Sequence, residues 1–259
     1  MEDLSPLLSR TLVLVAHPDD EAVGCGALLQ RMAEPIVVYG TDGAPRSDHF
    51  WQTYKSREEY ARARQKEAEN ALHSAGVERF RFLCEPDPIA DQELFTSLER
   101  AWLALAELVK AERPDAILTM AYEGGHPDHD ACCFLVSMAA KEFGVACWEM
   151  PLYHRREGTI ERQRFLAGEG IKLEIALEEL VEKMSMFAAY ESQAEVLWEF
   201  FPYLECFRPL ANYDFSRPPH EGVLNYEAWG WPMKGADLCR AFTEISNRLT
   251  NKKQWGTAA

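Results

Sequence analysis

The strongest constraint on the fold is an apolar run that passes directly into a polar motif. Residues 11–16 read TLVLVA, a short stretch of mainly branched side chains that is typical of a strand buried on both faces. The motif HPDDE follows at 17–21, and residues 21–32 have the length and the alanine and leucine content of a helix. A strand that enters a helix through a polar turn is the opening of an α/β unit.

The alternation of strands and helices continues along the chain. The predicted strands are 36–39, 80–84 and 115–121, and the predicted helices lie within 56–75, around 92–111 and at 130–143. Strands separated by helices pair in parallel through right-handed crossovers. We therefore expect an α/β fold with a mostly parallel sheet.

The second half of the chain is less regular. It predicts strands at 145–153 and 171–175, a long helix at 177–198, and ordered irregular structure at 200–231, where aromatic residues and prolines are frequent. No internal repeat, low-complexity stretch or flexible linker divides the sequence. We predict one domain over 1–259, with a core at about 8–198 and a C-terminal extension at about 199–259, which would form a lid or an interface.

The composition argues against nucleic acid and anionic membranes as partners. The formal net charge of -15 and the absence of a basic patch disfavour nucleic acid and anionic membranes. The seven cysteines are scattered, without a C-x-x-C pair, which is typical of a reducing compartment. The apolar run near the N-terminus is far shorter than the roughly 20 residues that span a bilayer. We therefore expect a cytoplasmic protein without membrane insertion.

Two short motifs contain the residue types that bind a catalytic metal. One is HPDDE at 17–21, and the other is HPDH at 126–129, after the strand predicted at 115–121. Sites in parallel sheets form at the carboxyl ends of the strands. Because both motifs follow strands, we expect them to lie side by side although they are far apart in the sequence.

The motifs predict a metal site with an open position. A catalytic zinc ion typically takes three protein ligands and leaves a position for the water that it activates. His17 and Asp20 are two predicted ligands from one turn at a helix start, and His129 is the third. The same set of histidine and aspartate ligands also accepts ferrous iron.

The residues beside these ligands have the chemistry of an acid and a base. Asp19 is the predicted general base, and His126 is predicted to stabilise the oxyanion or to protonate the leaving amine. Asp128 is available to orient an imidazole. Either motif alone is also compatible with a simple helix cap, since acidic residues often stabilise helix starts. Two such motifs, each after a predicted strand, favour metal-assisted hydrolysis.

At these motifs the chain resembles the PIG-L/LmbE-like family of zinc-dependent N-acetylglucosaminyl deacetylases. The resemblance covers about the first 195 residues and rests mainly on AHPDDE at 16–21, TDGA at 41–44, HPDH at 126–129 and YESQ at 190–193. It implies a Rossmann-like three-layer α/β fold. It also implies removal of an N-acetyl group from an N-acetylglucosamine-type amino sugar or glycoconjugate.

The resemblance implies the same ligands and base, and adds further roles. Asp128 would orient His126, which would face the tetrahedral intermediate. Arg64 and Asp87 would contact sugar hydroxyls or an attached group; a salt bridge of Arg64 with Glu67 and a turn cap by Asp87 are the alternatives.

Two parts of the sequence depart from the family pattern. Family members often have a tyrosine two residues before the HPDH histidine, but Gly124 occupies that position here and Tyr122 is the nearest tyrosine. Whether Tyr122 acts at the oxyanion stays open. The aromatic segment from residue 200 onward matches no family motif; it would stack on sugar rings or form a packing lid or dimer surface.

Three hypotheses for function follow. The leading one is a zinc-dependent N-deacetylase acting on a small amino sugar or glycoconjugate. The alternatives are a metal-dependent amidase with a non-sugar acyl substrate and a non-catalytic metal-binding module. A structural zinc site is usually closed by four ligands and does not need Asp19 and His126, so their presence favours hydrolysis. A homo-oligomer is possible, and the sequence leaves the oligomeric state open.

Overall fold

The computed structural model describes residues 3–256, and the side chains of residues 3–249; within this part of the chain a seven-stranded sheet forms the centre of the fold. The predicted single domain at 1–259 stays a prediction, and its residues 1–2 and 257–259 lie outside the described residues. In the same part of the chain, no helix has the length and apolar composition to cross a membrane.

The strands and helices of the described residues alternate over most of the chain. The strands are β1 (Thr11–Val15), β2 (Ile36–Tyr39), β3 (Phe80–Phe82), β4 (Ala116–Met120), β5 (Ala146–Met150), β6 (Tyr153–Arg156), β7 (Thr159–Arg162), β8 (Ile171–Lys172) and β9 (Cys206–Pro209). The helices are α1 (Asp20–Leu29), α2 (Arg57–Ser74), α3 (Leu98–Glu112), α4 (Pro127–Phe143), α5 (Leu177–Ala189), α6 (Ala194–Leu197), α7 (Asn225–Ala228) and α8 (Gly235–Gly256).

The sheet has the order β3-β2-β1-β4-β5-β9-β8. The first five strands pair in parallel, and β9 pairs antiparallel with both β5 and β8. Every residue of β1, β2 and β4 is buried, as expected for strands covered on both faces. The predicted α/β class with a mostly parallel sheet is confirmed.

The order of the strands reverses next to β1. From β1 the chain moves outward to β2 and β3, and then crosses back to β4 on the other side of β1. With right-handed crossovers, this reversal places α1 and α2 on one face and α3 and α4 on the other. In such sheets a crevice opens at the reversal, beyond the carboxyl ends of the two strands. The crevice between β1 and β4 is therefore the expected place for a site.

Helix α1 is broken in its middle, and a buried ion pair fills the break. Cys25 leaves the helical conformation, with φ -148° and ψ 20°. The Nζ of Lys183 donates to the carbonyl of Val23 (3.0 Å) and bonds to Glu205 (2.6 Å). Glu205 in turn accepts from the backbone N–H of Ala27 and Leu28, at 2.6 and 3.0 Å. The pair therefore satisfies backbone groups that the broken helix leaves unpaired.

The strand predicted at 145–153 is two strands. β5 belongs to the central sheet, whereas β6 forms a separate antiparallel hairpin with β7, in which Tyr153 lies opposite Arg162. Pro151 lies between them and has no N–H to donate to a ladder. The apolar pattern of the region continues through this break, so the sequence alone does not reveal it.

The helix predicted at 177–198 ends early. α5 stops at Ala189, a 3-10 turn follows at Glu191–Gln193, and α6 is a separate short helix. Tyr190 leaves the helical conformation with its side chain fully buried. The helix therefore ends where this ring enters the core.

The segment predicted as irregular at 200–231 contains β9 and α7. β9 pairs with β5 at two positions, Pro209 with Trp148 and Arg208 with Glu149. The Nε of Arg208 also bonds to the carboxylate of Glu149 (2.6 Å), which is buried. The four residues of β9 end in proline and show no alternation of apolar and polar side chains. This strand forms through its pairing with β5, and its own sequence does not predict it.

Candidate active site

Both predicted motifs lie at the crevice between β1 and β4. His17 follows β1 after one residue, and His126 precedes α4 in the loop that follows β4. Because β1 and β4 are parallel neighbours, their carboxyl ends place the two loops side by side. The rings of His17 and His126 are 4.4 Å apart between centroids.

The three predicted metal ligands converge there. The Nε2 of His129 lies 3.2 Å from Oδ1 of Asp20, and the Nδ1 of His17 lies 3.4 Å from Oδ2 of Asp20. The backbone N–H of His17 also donates to Oδ2 of Asp20 (2.8 Å). Burial favours a raised pKa for Asp20, but the imidazoles of His129 and His17 hold this pKa well below its usual value. The carboxylate is therefore ionised, as a metal ligand must be.

These residues fit a divalent metal ion. The Nε2 of His129 is buried and has no hydrogen-bond partner among the described residues, although a carboxylate lies beside it. Ligand atoms of His17, His126 and His129 lie within 4.8 Å of one another. A buried nitrogen without a partner, close to further nitrogen and carboxylate donors, is the environment of a zinc or ferrous ligand.

Asp19 lies next to this group in a strained conformation. Its φ of 124° is unusual for a residue other than glycine. Two contacts hold it: its backbone N–H donates to Oε2 of Glu21 (3.1 Å), and Arg64 donates to its Oδ2 (3.2 Å). Burial raises the pKa of Asp19 to about 8, although Arg64 opposes the shift. The result is a carboxyl group in the cavity wall with the pKa of a base active near neutral pH.

The contacts of His126 differ from those that the sequence predicts. Its Nδ1 accepts from the backbone N–H of Asp128 (3.1 Å), and its Nε2 lies 3.3 Å from Oδ1 of Asp91. The carboxylate of Asp128 is 4.0 Å from His126. It accepts from the backbone N–H of Gln92 (2.6 Å) and Leu94 (3.0 Å), and its Oδ2 lies 3.3 Å from Nε2 of His17, so the imidazole that it contacts is that of His17. The prediction that the Asp128 carboxylate orients His126 is therefore wrong. The reason is that this carboxylate ties the loop before α3 to the start of α4.

Asp91 is a site residue that the sequence analysis missed. Its Oδ1 lies 3.2 Å from Nε2 of His17 and 3.3 Å from Nε2 of His126, so one carboxylate faces both imidazoles. Burial favours a raised pKa for Asp91, but His17 and His126 lower this pKa well below its usual value. The available signal was its position in a loop after a parallel strand, since β3 ends at Phe82.

The part of the chain that carries these residues matches a known family. The family model PIG-L, described as GlcNAc-PI de-N-acetylase, matches residues 12–140, which include both motifs. Over these residues the chain matches the PIG-L family. The predicted family resemblance is thus confirmed.

Curated relatives also match a large part of the chain. A probable N-acetyl-alpha-D-glucosaminyl L-malate deacetylase 2 of Bacillus cereus is 26% identical over 195 residues, which is 73% of this chain and 86% of the relative. A 1D-myo-inositol 2-acetamido-2-deoxy-alpha-D-glucopyranoside deacetylase 2 of Catenulispora acidiphila is 30% identical over 163 residues. That match covers 53% of each protein, so this chain spans about half the length of that relative.

Solved structures share the fold. A deacetylase triple mutant of the teicoplanin biosynthetic pathway matches with a TM-score of 0.59 and 22% identity, over 73% of this chain and 84% of that one. The N,N'-diacetylchitobiose deacetylase of Pyrococcus horikoshii matches with a TM-score of 0.53 and 18% identity, over 80% and 85%. At these identities the similarity shows only that this chain shares the fold of these proteins.

Arg64 lies in the wall of the cavity, and protein atoms occupy most of its donors. Beyond Asp19, it donates to the carbonyls of Pro18 (2.5 Å) and Gly43 (2.9 Å) and to the hydroxyl of Tyr60 (3.2 Å). The alternative salt bridge with Glu67 is wrong, because Glu67 accepts from the backbone N–H and the hydroxyl of Ser192. Contact of Arg64 with substrate stays a prediction.

The YESQ segment at 190–193 supports Asp19 by two routes. Tyr190 donates to Oε1 of Glu21, whose other oxygen accepts from the N–H of Asp19. Gln193 donates to the hydroxyl of Tyr60 (2.7 Å), which accepts from Arg64. Burial raises the pKa of Glu21 to about 7, and the hydrogen bond from Tyr190 opposes this shift. The segment therefore holds both the backbone and the carboxylate of Asp19 through intermediates.

Two other predicted residues lie away from the cavity. The side chain of Asp87 is 88% exposed and forms a surface ion pair with Arg100 (2.9 Å), so the structure does not bring it to the site. Tyr122 is buried, and its hydroxyl donates to the carbonyl of Arg217 (2.9 Å). Gly124 has a φ of 70°, and a Cβ there would lie 2.6 Å from Leu224, so a tyrosine does not fit this turn.

The cavity above the metal ligands has a volume of about 180 Å³. Tyr60 and five further aromatic side chains line it together with the polar residues. We call the five the aromatic collar: Phe50, Tyr153, Phe200, Trp229 and Trp231. A groove of about 970 Å³ between α3 and α8 is larger, but none of the predicted metal ligands lines it in the described part of the chain. The smaller cavity is therefore the candidate active site.

Proposed function

We propose that this protein is a zinc-dependent N-deacetylase that hydrolyses the N-acetyl group of an N-acetylglucosamine-type sugar or glycoconjugate. One observation carries the proposal: Asp20 lies between two histidines that its carboxylate contacts at 3.2 and 3.4 Å, and the strained Asp19 stands beside it. A metal site flanked by a poised carboxyl group is the arrangement of a hydrolase.

His17, Asp20 and His129 would hold the metal ion. When bound, zinc polarises the amide carbonyl as a Lewis acid and lowers the pKa of water. The ligand set of two nitrogens and one carboxylate leaves a coordination position open to substrate and water. Zinc is proposed as the resident ion because this set and its buried setting suit it.

Asp19 would act as the general base. Its Oδ2 accepts from Arg64, so Oδ1 is the atom that takes the proton of the attacking water. Burial raises the pKa of Asp19, so its carboxyl group can hold that proton and pass it to the leaving amine. Arg64 keeps the carboxyl group facing the cavity.

His126 would stabilise the oxyanion. Because its Nδ1 accepts from the N–H of Asp128, the neutral ring carries its proton on Nε2. Burial and the neighbouring His17 lower the pKa of His126, which favours this neutral form. The Nε2–H, which lies 3.3 Å from Oδ1 of Asp91, would be the donor for the developing negative charge on the carbonyl oxygen.

Two further observations support a small amino-sugar substrate and a cytoplasmic location. The relatives named above are deacetylases of N-acetylglucosamine conjugates, which supports a small amino-sugar substrate. All seven cysteines are free thiols, which supports a cytoplasmic protein.

The test is amine release by the zinc-loaded protein from N-acetylglucosamine derivatives, with bound metal measured on the same samples. Wild type should release glucosamine-type amine, whereas Asp19→Asn should retain metal and lose roughly 10²- to 10⁴-fold in kcat. Turnover confined to acyl amines without a sugar would replace the proposal with a general amidase. Full activity of Asp19→Asn would remove Asp19 from the mechanism.

A further inference from the structure

We infer that the amino sugar of the substrate carries an apolar aglycone, aromatic or alkyl, and that the aromatic collar binds this group. The inference rests on the proposed deacetylase function and names the substrate class of that site. It concerns the mouth of the cavity, whereas the proposed chemistry concerns its floor.

The collar is a continuous chain of ring contacts. Phe50 lies 6.2 Å from Trp231, Trp231 lies 5.0 Å from Trp229, and Trp229 lies 6.2 Å from Tyr153, all between ring centroids. Tyr153 contacts Phe200 at 6.1 Å. Four separate chain segments supply these rings, so the fold assembles an aromatic surface that no single segment carries.

The collar begins directly above the proposed catalytic groups. The ring of Trp231 lies 5.1 Å from that of His126, and the ring of Tyr153 lies 5.3 Å from that of His129. A sugar bound with its acetamido group at these histidines would therefore project its neighbouring substituent onto aromatic rings.

The polar residues of the cavity lie at its bottom, and its exposed apolar residues lie at its opening. The charged and metal-binding side chains that line the cavity are at most 13% exposed. The most exposed lining residues are Phe50 (40% exposed), Trp229 (44%) and Val196 (54%), which are all apolar. Exposed apolar residues gathered at the rim of a polar cavity mark a binding surface.

Among its described lining residues, the cavity offers no lysine or arginine to an anionic aglycone other than Arg64, which is paired with Asp19. Arg64 is the only lysine or arginine among its lining residues in the described part of the chain, and it already donates to four protein groups. A carboxylate such as that of malate would lose its hydration at the collar without an unpaired cationic side chain to bind it, which is unfavourable.

A second sugar is also poorly matched. Its hydroxyl groups would need donors and acceptors. Phe50, Val196 and Phe200 supply none from their side chains, which leaves only the hydroxyl of Tyr153 and the indole N–H groups of Trp229 and Trp231 in the collar. An aryl or alkyl group loses no hydrogen bonds there, and stacking on indole rings stabilises it further. The volume of about 180 Å³ is below the roughly 300–1,000 Å³ of pockets for drug-sized ligands, so a large substrate must extend past the collar.

The test compares kcat/KM for four substrates: N-acetylglucosamine, its phenyl glycoside, N,N'-diacetylchitobiose and the malate conjugate. We expect the phenyl glycoside to exceed the free sugar by roughly tenfold or more, and to exceed the other two. Equal values for phenyl glycoside and free sugar, or preference for chitobiose or malate conjugate, would overturn the inference while the deacetylase function stands.

Two variants locate the effect. Trp229→Ala should reduce the ratio of phenyl glycoside to free sugar in kcat/KM by roughly tenfold. Trp198→Ala removes a tryptophan that is 90% exposed and does not line the cavity, and it should leave the ratio unchanged. A ratio that responds equally to both variants, or to neither, contradicts a role of the collar.

Binding separates this inference from the proposed activity. Calorimetry with phenyl 2-amino-2-deoxyglucoside and with glucosamine needs no turnover. Tighter binding of the phenyl compound, lost in Trp229→Ala, supports the collar even if no acetylated substrate is hydrolysed. Equal binding of the two amines overturns the inference, whether or not the protein is a deacetylase.

Discussion

The Nε2 of His129, at the start of α4, lies 3.2 Å from Oδ1 of Asp20, at the start of α1. This pair joins the two motifs across neighbouring strands. It also leaves a buried nitrogen without a hydrogen-bond partner among the described residues.

Loss of His129 should remove the metal. His129→Ala should bind less than a tenth of the zinc of wild type by elemental analysis, because it removes one of three ligands. Zinc at 100 times its dissociation constant should stabilise wild type by about 2.7 kcal/mol and leave His129→Ala unaffected. The control is His73→Ala on the exposed surface of α2. Zinc content in His129→Ala equal to that of wild type would contradict the ligand assignment.

Asp91 should matter although the sequence motifs do not include it. Asp91→Asn removes the charge that faces His17 and His126, so we expect a loss of roughly 10- to 100-fold in kcat/KM or in metal affinity. Asp87→Asn is the matched control from the same loop, and its exposed carboxylate should be dispensable. Comparable losses in both variants would show an effect of the loop rather than of the carboxylate.

Tyr190 is expected to act on Asp19 at a distance. Tyr190→Phe removes the hydrogen bond to Glu21, which holds the N–H of Asp19, so kcat should fall about tenfold with less change in KM. Zinc content should stay at the wild-type level, since the ligands are untouched. Tyr203→Phe, on a tyrosine that is 57% exposed, is the control. An unchanged kcat in Tyr190→Phe would limit this tyrosine to packing.

The buried pair of Lys183 and Glu205 should dominate the stability of the α1 region. Lys183→Met leaves Glu205 without its cation in the interior and should lower the free energy of unfolding by about 3–5 kcal/mol in urea titrations. The double variant Lys183→Met with Glu205→Met should recover part of this loss. Lys66→Met removes an exposed pair with Glu69 and should cost about 0–1 kcal/mol. A small loss in Lys183→Met would show that water compensates the charge.

The central strands and both motifs were predictable because their signals are local. The runs at β1, β2 and β4 are apolar at nearly every position, and this pattern identifies a parallel sheet before any contact is known. The rule for strand ends then brings HPDDE and HPDH together. Asp19, Asp20, His17, His126 and His129 all line the cavity as a consequence.

The missed features depend on contacts between distant segments. Asp91 reaches the site only because the loop after the edge strand β3 folds back to the crevice, where Asp91 forms a parallel bridge with Pro45. Asp87, four residues earlier in this loop, points to solvent instead. Likewise, the Asp128 carboxylate binds backbone groups at Gln92 and Leu94, and local sequence holds no signal for that choice.

The position of β9 in the sheet has a consequence for engineering this protein. The family model ends at residue 140, so the strands β5, β8 and β9 and four of the five collar rings come from the chain after it. β9 nevertheless pairs with β5, and its neighbour Glu205 binds inside the break of α1. A chimera that exchanges the C-terminal half to alter selectivity must therefore carry matching partners in α1 and β5. In this protein the segment that supplies most of the collar is hydrogen-bonded to the elements that position the proposed catalytic residues.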